Sequence, residues 1–208
     1  MDKIPGKREQ NRQRRRSEIV EVARRAFLDQ GYSATSMSAI ADELGGSKAT
    51  LWSHFSSKEE LFIAVVDAQV ALFACAMEDA IGSGTYSTAL LRRFCVRFLT
   101  MLMQPDSIAL FRVIMGDGGR FPEINSIFHV RGPARAIASL TDSLKARFPP
   151  QEAQRLAVLI FGGMIGWRTH VLTRPEPLQP GELEQFVDDF IAHLRLGAYE
   201  SSPDPQHR

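Results

Sequence analysis

The chain has 208 residues, of which 44% are hydrophobic, 24% charged and 9% aromatic, with a formal net charge of +1. That balance excludes a fibrous repeat and disorder throughout, and the length suffices for a real hydrophobic core in one or two domains. Two cysteines, Cys75 and Cys95, lie in apolar stretches without a CxxC or a His at ligand spacing, so neither a disulfide scaffold nor a structural zinc site is expected.

Residues 1–25 hold nine Lys/Arg against four Asp/Glu, whereas the remaining residues carry 16 basic and 20 acidic side chains. A basic end on a slightly acidic protein points to a local polyanion contact, although a solvated charge run has the same composition. No apolar segment follows the charges of MDKIPGKREQNRQRRR. Asp67, Glu78 and Arg92 interrupt the richest apolar stretches, so no membrane span is expected and the protein is read as soluble and cytoplasmic. Residues 1–13, polar with Pro5 and Gly6, are expected to form a flexible basic arm.

From Arg14 to Gln30, Ile19, Val22, Ala23, Ala26 and Phe27 recur at helical spacing, and Gly31 stops the pattern as a C-terminal cap. Thr35 or Ser36 can cap a second helix, whose buried face is Met37, Ile40, Ala41 and Leu44. Gly45-Gly46 then breaks the chain. Ser47 caps a short third helix, KATLWSHF, and Ser57-x-x-Glu60 reads as a capping box ahead of a long fourth helix, LFIAVVDAQVALFACAM.

The second half predicts further helices over Tyr86–Met103, ended by Pro105, and Asp106–Met115, ended by GDGGR. Others follow over Pro122–Val130, interrupted by Gly132-Pro133, and Ala134–Phe148, ended by Pro149-Pro150. The last two are Gln151–Leu172 and Glu182–Leu196, separated by a loop holding Pro175, Pro177 and Pro180. The polar residues 199–208 are expected to be a disordered tail. No segment alternates with period two, so the expected fold is all-α, with nine or ten helices.

Two short helices joined at Leu44-Gly45-Gly46-Ser47 make a helix-turn-helix, a unit whose second helix lies in the major groove of DNA with its first residues toward the bases. Lys48, Ala49, Trp52 and Ser53 fall on its open face, with Thr50 to one flank, while Leu51 and Phe55 have the spacing to face inward. Small residues allow close approach, and hydroxyls, Lys and an indole N–H donate to phosphates.

The words match as well as the spacing. The segment GYSATSMSAIADELGGSKATLWSHFSSKEELF resembles the DNA-binding domain of TetR/AcrR-type transcriptional regulators. The resemblance is carried by Gly31-Tyr32, Thr35-Ser36-Met37, Ile40-Ala41, Gly45, Ser47-Lys48, Thr50-Leu51-Trp52, His54-Phe55 and Lys58-Glu59-Glu60-Leu61. It covers about residues 14–62. Trp52 stands where Tyr is usual, Gly46 where Val is common and Ala49 where Gly is frequent. The resemblance implies that Thr35 and Ser36 touch phosphate at the start of the second helix. It implies that Ser47, Lys48, Ala49 and Thr50 face bases or phosphates, and that Trp52, His54 and Lys58 hold the DNA backbone. Capping also accounts for Thr35, Ser47 and Ser57, a structurally bonded histidine for His54, and plain surface for Lys58. The arginines at 14–16 either place an arm in the minor groove or stay solvated and raise non-specific affinity.

The resemblance further implies a helical effector-binding and dimerisation domain over 63–198, after a helix-turn-helix domain over 14–62. The partners it implies are a double-stranded operator, a second copy of the chain in a homodimer, and a small-molecule effector; no cofactor and no metal are called for. The apolar stripes Leu156, Leu159, Ile160, Gly163 and Trp167, and Phe186, Val187, Phe190 and Leu194, are the expected dimer interface. Phe94, Phe98, Met101, Phe111, Met115, Phe128, His129, Trp167 and His170 are the expected effector pocket, with Arg97, Arg112 and Arg168 as further polar candidates; such side chains at helical spacing also make ordinary core. The GDGGR segment is read as a helix-ending turn before a phosphate cradle, as no strand precedes it. The functional expectation is a repressor that binds a palindrome and is released by an apolar effector. The alternative is a helical small-molecule-binding enzyme. The histidines at 54, 129, 170, 193 and 207 are scattered, however, and no HExxH, GxSxG or Walker pattern occurs, so the expectation is that the chain is not an enzyme.

Overall fold

The computed structural model describes residues 6–45, 48–81, 87–194 and 196. Among them lie ten α-helices and no strand: α1 Lys7–Gln30, α2 Met37–Glu43, α3 Lys48–His54, α4 Lys58–Ile81, α5 Thr88–Leu102, α6 Pro105–Asp117, α7 Pro122–Arg131, α8 Pro133–Leu144, α9 Pro150–Thr173 and α10 Glu182–Leu194. The all-α expectation holds. The cap expected at Ser47 and the tail over 199–208 lie outside the described residues.

Helix α1 begins at Lys7, not near residue 14. From Lys7 to Glu18 every residue except Asn11 and Ser17 is Lys, Arg, Glu or Gln, which are good helix formers. Side chains three and four apart support one another: Arg15 pairs with Glu18 at 2.9 Å and Gln13 donates to Glu9 at 3.3 Å. The flexible arm expected over 1–13 is therefore helical from residue 7. Gly31 ends the helix at φ 88°, where a Cβ would be strained, and its N–H donates to the Phe27 carbonyl at 3.0 Å.

Four prolines start helices. Pro105, Pro122, Pro133 and Pro150 are the first residues of α6, α7, α8 and α9, where the missing N–H costs no helical bond and φ is already set. Pro105 and Pro150 are thus boundaries for the helices that follow them as well as stops for those before. Ser36 and Ser87 cap α2 and α5, accepting from Ala39 N and Leu90 N, each at 3.1 Å.

The chain divides into two compact units. The first holds α1–α3, α4 as far as Leu72, and residues 105–134 with α6 and α7; the second holds the rest of α4, α5 and the segment from Arg135 onward. This differs from the expected linear division at residues 62 and 63. The physical reason is core completion: Leu110, Val113 and Ile114 of α6 and Ile124 of α7 are buried in one core with Ile19, Phe27, Ile40, Leu51 and Phe62. Roughly 50 residues of helix-turn-helix expose a large share of their apolar surface when folded alone.

In the first unit, Tyr32 is the aromatic hub. It stacks on Phe27 and meets Phe62 and Phe121 edge-on, at centroid distances of 5.7, 5.1 and 5.2 Å. In the second unit, α5 packs against α9 and α10. Its core joins Leu91, Phe94, Phe98 and Leu99 with Leu144, Ala157, Ile160, Met164 and Val187. Arg92 of α5 pairs with Asp188 of α10 at 2.5 Å on the surface.

By length and composition, α9 is the one described helix apolar enough to cross a membrane, although only a third of that window is buried. One such helix does not overturn the expectation of no span, because the core helix of a soluble protein has the same length and composition. The helix is apolar on two sides: Leu156, Ile160 and Met164 enter the core, while Val158 and Leu159 are exposed.

A Cβ on Gly163 would lie 2.5 Å from the Phe190 ring of α10, so the glycine makes room for that ring within the protomer. Gly163→Ala is expected to destabilise the second unit by ~1–3 kcal/mol through overpacking. A thermal melt of the variant, several degrees below wild type, checks it.

Candidate nucleic-acid interface

Helix α3 has a buried side and an open side. Leu51 and Phe55 are each 1% exposed, and Trp52 is 51% exposed. Lys48, Ala49 and Ser53 are exposed beside Trp52, and Thr50 is half-buried. The face predicted to meet DNA is thus the open one, and the predicted anchors are in the core. The Ser53 hydroxyl donates to the Thr50 carbonyl at 2.8 Å.

Helix α1 borders this surface. The Arg16 guanidinium sits 4.7 Å above the Phe55 ring. Burial, and then the charges of Arg12, Arg16 and Arg15, hold the half-buried His54 imidazole below its ordinary pKa. His54 is therefore predominantly neutral near pH 7. It is neither fully buried nor isolated, and it stands in a positive field.

Two predicted phosphate contacts have other work. Thr35 is 2% exposed, and its hydroxyl lies 2.7 Å from the Gly31 carbonyl and 3.1 Å from the Ala26 carbonyl. Thr35 clamps the end of α1, and its side chain does not reach the surface. Lys58 extends its ammonium back under the α1–α2 turn, donating to the carbonyls of Tyr32 at 2.9 Å and Thr35 at 3.1 Å. It also lies 4.3 Å from the Tyr32 ring centroid and 5.7 Å from that of Phe121. Burial lowers its pKa, opposed by the charges of Asp117 and Glu123. Lys58 is a structural strut rather than a loose surface cation. Ser36, by contrast, is exposed while it caps α2, so capping and surface contact remain compatible there.

The capping box at α4 forms in altered register. Ser57 Oγ accepts from Glu60 N at 3.0 Å, but the Glu60 carboxylate takes the N–H and hydroxyl of Ser56 at 2.7 and 2.8 Å. These bonds hold Glu60 below the usual carboxylate pKa and fix the α3–α4 turn. Asp117, at the end of α6, accepts from Ser33 N at 3.0 Å, a tie across 84 residues that no local pattern announces. The GDGGR segment is a turn: Gly118 N donates to Ile114 O, and Asn125 Nδ2 donates to Gly118 O, each at 3.0 Å.

The expected dimer set is partly consumed inside the protomer. Leu156, Ile160 and Val187 are 5%, 0% and 0% exposed, and Gly163 faces Phe190. Trp167 stacks on Phe186 at 5.1 Å, and Phe186 lies 5.7 Å from Phe190. Helix periodicity picks an apolar stripe without saying whether its partner is inside or outside the chain. Of the expected residues on α9, Leu159 is 60% exposed, and it lies among Val158, Gly162 and Gly166, all exposed.

The expected effector residues are divided. Phe111, Met115, Phe128 and His129 belong to the first unit, and Phe94, Phe98, Met101, Trp167 and His170 to the second. Met115 is 68% exposed, and His129 and His170 are exposed, so none of the three belongs to the core of its unit. In the second unit Phe98 meets Phe94, Phe73 and Phe161 at 5.7, 5.1 and 5.5 Å. On α9, Arg168 continues the buried stripe of Ile160 and Met164 at 3% exposure, where burial lowers its pKa. No group of three or more His, Cys, Asp or Glu that could hold a metal occurs among the described residues.

Residues 19–65 match the family described as "Bacterial regulatory proteins, tetR family", and residues 89–200 match "AefR-like transcriptional repressor, C-terminal domain". The chain is 26% identical over 197 residues to the transcriptional regulator BetI of Rhizobium meliloti, covering 92% of this chain and 95% of that protein. It is 29% identical over 151 residues to the transcriptional activator FasR of Mycolicibacterium smegmatis, covering 73% and 68%. The solved structure of the flavonoid-responsive regulator FrrA superposes with a TM-score of 0.69 at 30% identity, covering 87% of this chain and 96% of that one.

Two outcomes follow from the geometry. In the free protein His54 should titrate below the ordinary imidazole midpoint, and Arg12→Gln with Arg16→Gln should move it part of the way back; histidine NMR against pH measures both. Lys58→Met leaves the Tyr32 and Thr35 carbonyls without their charged donor, and a loss of about 1–2 kcal/mol in chemical denaturation is expected.

Proposed function

The chain belongs to the tetR family of bacterial regulatory proteins and is a DNA-binding transcriptional regulator; from that premise we propose that it works as a homodimeric repressor on an inverted-repeat operator and is released by a small apolar effector. Each protomer inserts α3 into a major groove, with Lys48, Ala49, Thr50 and Trp52 toward the duplex and His54 beside the backbone. The supporting observation is the polarity of α3: Leu51 and Phe55 are locked in the core while Trp52 stands 51% exposed next to Lys48. The indole N–H and aromatic face of Trp52, beside the Lys48 ammonium, suit a phosphate-lined partner.

The second copy would meet the bare side of α9. Val158, Leu159, Gly162 and Gly166 are exposed; Gly162 follows Val158 by four and Leu159 by three residues, and Gly166 lies four further on, with small residues where backbones would approach. Two-fold symmetry then presents two reading heads to a palindrome. For the effector, the second unit offers the Phe73, Phe94, Phe98 and Phe161 cluster, with Trp167 packed at its margin. Helix α4 gives Leu61, Phe62 and Val65 to the first core and Met77 to the second, and in this proposal it carries the effector's signal to α3. The effector must bind the DNA-incompetent form better, or it shifts nothing. FrrA responds to flavonoids, so flat aromatic compounds are the first probes. A role on chromosomal DNA fits a cytoplasmic protein without enzyme activity, and the relatives named above are described as transcriptional regulators.

Genomic fragments captured by the purified chain supply the operator for gel-shift titration. Lys48→Ala and Trp52→Ala are expected to weaken binding at least tenfold with an unchanged melting temperature; unaltered affinity in both would remove α3 from the interface. Leu159→Glu is expected to sediment as a monomer and to lose tight operator binding.

A further inference from the structure

We infer that the first turns of α1 form a second, sequence-independent contact with the duplex, in which Arg8, Arg12, Arg15 and Arg16 take backbone phosphates beside the groove entered by α3. This rests on the reading of α3 given above and extends it to a surface on another helix.

The stripe is defined by register. Arg8, Arg12 and Arg15 are spaced four and three residues apart, and the same line continues into Ile19, Val22 and Ala26, the buried face of α1. From Ile19 onward that face is covered by the core; before it, the residues from Lys7 to Glu18 are exposed, apart from half-buried Arg15. The helix thus runs past the edge of its own core, and the face that would have been apolar carries arginines instead. Arg16, on the Phe55 ring at 4.7 Å, places this overhang beside the end of α3. The charges of Arg12, Arg16 and Arg15 are all felt by His54 at the end of α3, and helix packing gives them no reason to gather there, since like charges on one face repel.

Their neutralisation inside the chain is partial. Glu18 lies 2.9 Å from Arg15 and 3.9 Å from Arg14, and Glu9 accepts from Gln13. Arg8 and Arg12 have no carboxylate partner among the described residues. The guanidinium fork suits phosphate oxygens.

Helix geometry decides where on the duplex they act. An α-helix with side chains is about 10–12 Å across, against a minor groove of about 6 Å, so this segment cannot enter that groove as an extended arm does. Lying along the outside, residues 7–18 extend about 18 Å, the length of roughly five base pairs. Composition decides against a membrane: KREQNRQRRRSE has no apolar side chain to bury in an acyl layer.

The test compares full-length wild type with R8Q/R12Q/R15Q, which leaves Arg16 on Phe55 and keeps good helix formers. Binding is measured by fluorescence anisotropy against salt on two duplexes: one carrying a fragment selected by the wild type, the other its scramble. The expected result is an equal drop in affinity on both duplexes, an unchanged ratio between them, and a salt slope shallower by about 0.9 for each phosphate that the variant no longer neutralises. The control K7Q/R14Q removes two charges from the other side of α1 and is expected to change the slope far less. An unchanged slope in the triple variant, an equal effect in the control, or a drop confined to the selected duplex overturns the inference. So does weakened binding to anionic vesicles with no change on DNA. Lys48→Ala reads the α3 assignment separately, through the ratio between the duplexes. Failure of the wild type to bind any duplex overturns both.

Discussion

The position of α3 is tied to one ammonium group. Lys58 Nζ, at the start of α4, holds the carbonyls of Tyr32 and Thr35 and rests on the Tyr32 ring. Those carbonyls belong to the turn between α1 and α2, so a side chain from α4 closes the loop of structure in which α2 and α3 hang. Thr35 bonds back to the end of α1, and Asp117 receives Ser33 N from the other side. A helix of only seven residues, as α3 is, has little stability of its own and must be held by such ties.

The same constraint explains why α6 and α7 belong with the first unit. The aromatic hub at Tyr32 needs Phe121, and the core beneath it needs Leu110, Val113, Ile114 and Ile124. Arg24 reaches Asp106 at 2.7 Å and Arg131 reaches Asp67 at 2.6 Å, adding polar ties between α1 and α6 and between α4 and α7. The segment 105–134 is thus part of the frame that sets α3, although some fifty residues separate the two in sequence. Any signal that disturbs α6 or α7 acts on this frame directly.

Much of this was legible in the residues. The periodicity of Ile19, Val22, Ala23, Ala26 and Phe27, the Gly31 stop and the Ser36 and Ser57 caps are local signals, and local signals survive folding. The family words from Gly31 to Leu61 marked the α3 face, and Lys48 and Trp52 stand open as that pattern implies. What misled was long-range. Leu156 and Leu159 share one apolar pattern, yet 5% and 60% exposure put one in the core and the other on the surface. Lys58 and Thr35 match a family motif and are absorbed by carbonyls that only the folded turn brings near. The bond from Asp117 to Ser33, and the return of Glu60 to Ser56 instead of Ser57, have no sequence signature. The basic start was read as an arm because Pro5 and Gly6 suggested looseness, while the helix-forming composition after them carried more weight.

In the proposed complex, two copies of α3 from a symmetric pair of chains read successive major grooves on one side of a duplex. Hydroxyl-radical footprinting of a fragment bound by the wild-type protein tests this most directly. The account predicts two protected patches related by a dyad, on one face of the helix and centred about one turn, ~34–36 Å, apart or a multiple of it. A single protected patch without two-fold symmetry, or uniform protection along the fragment, would contradict it.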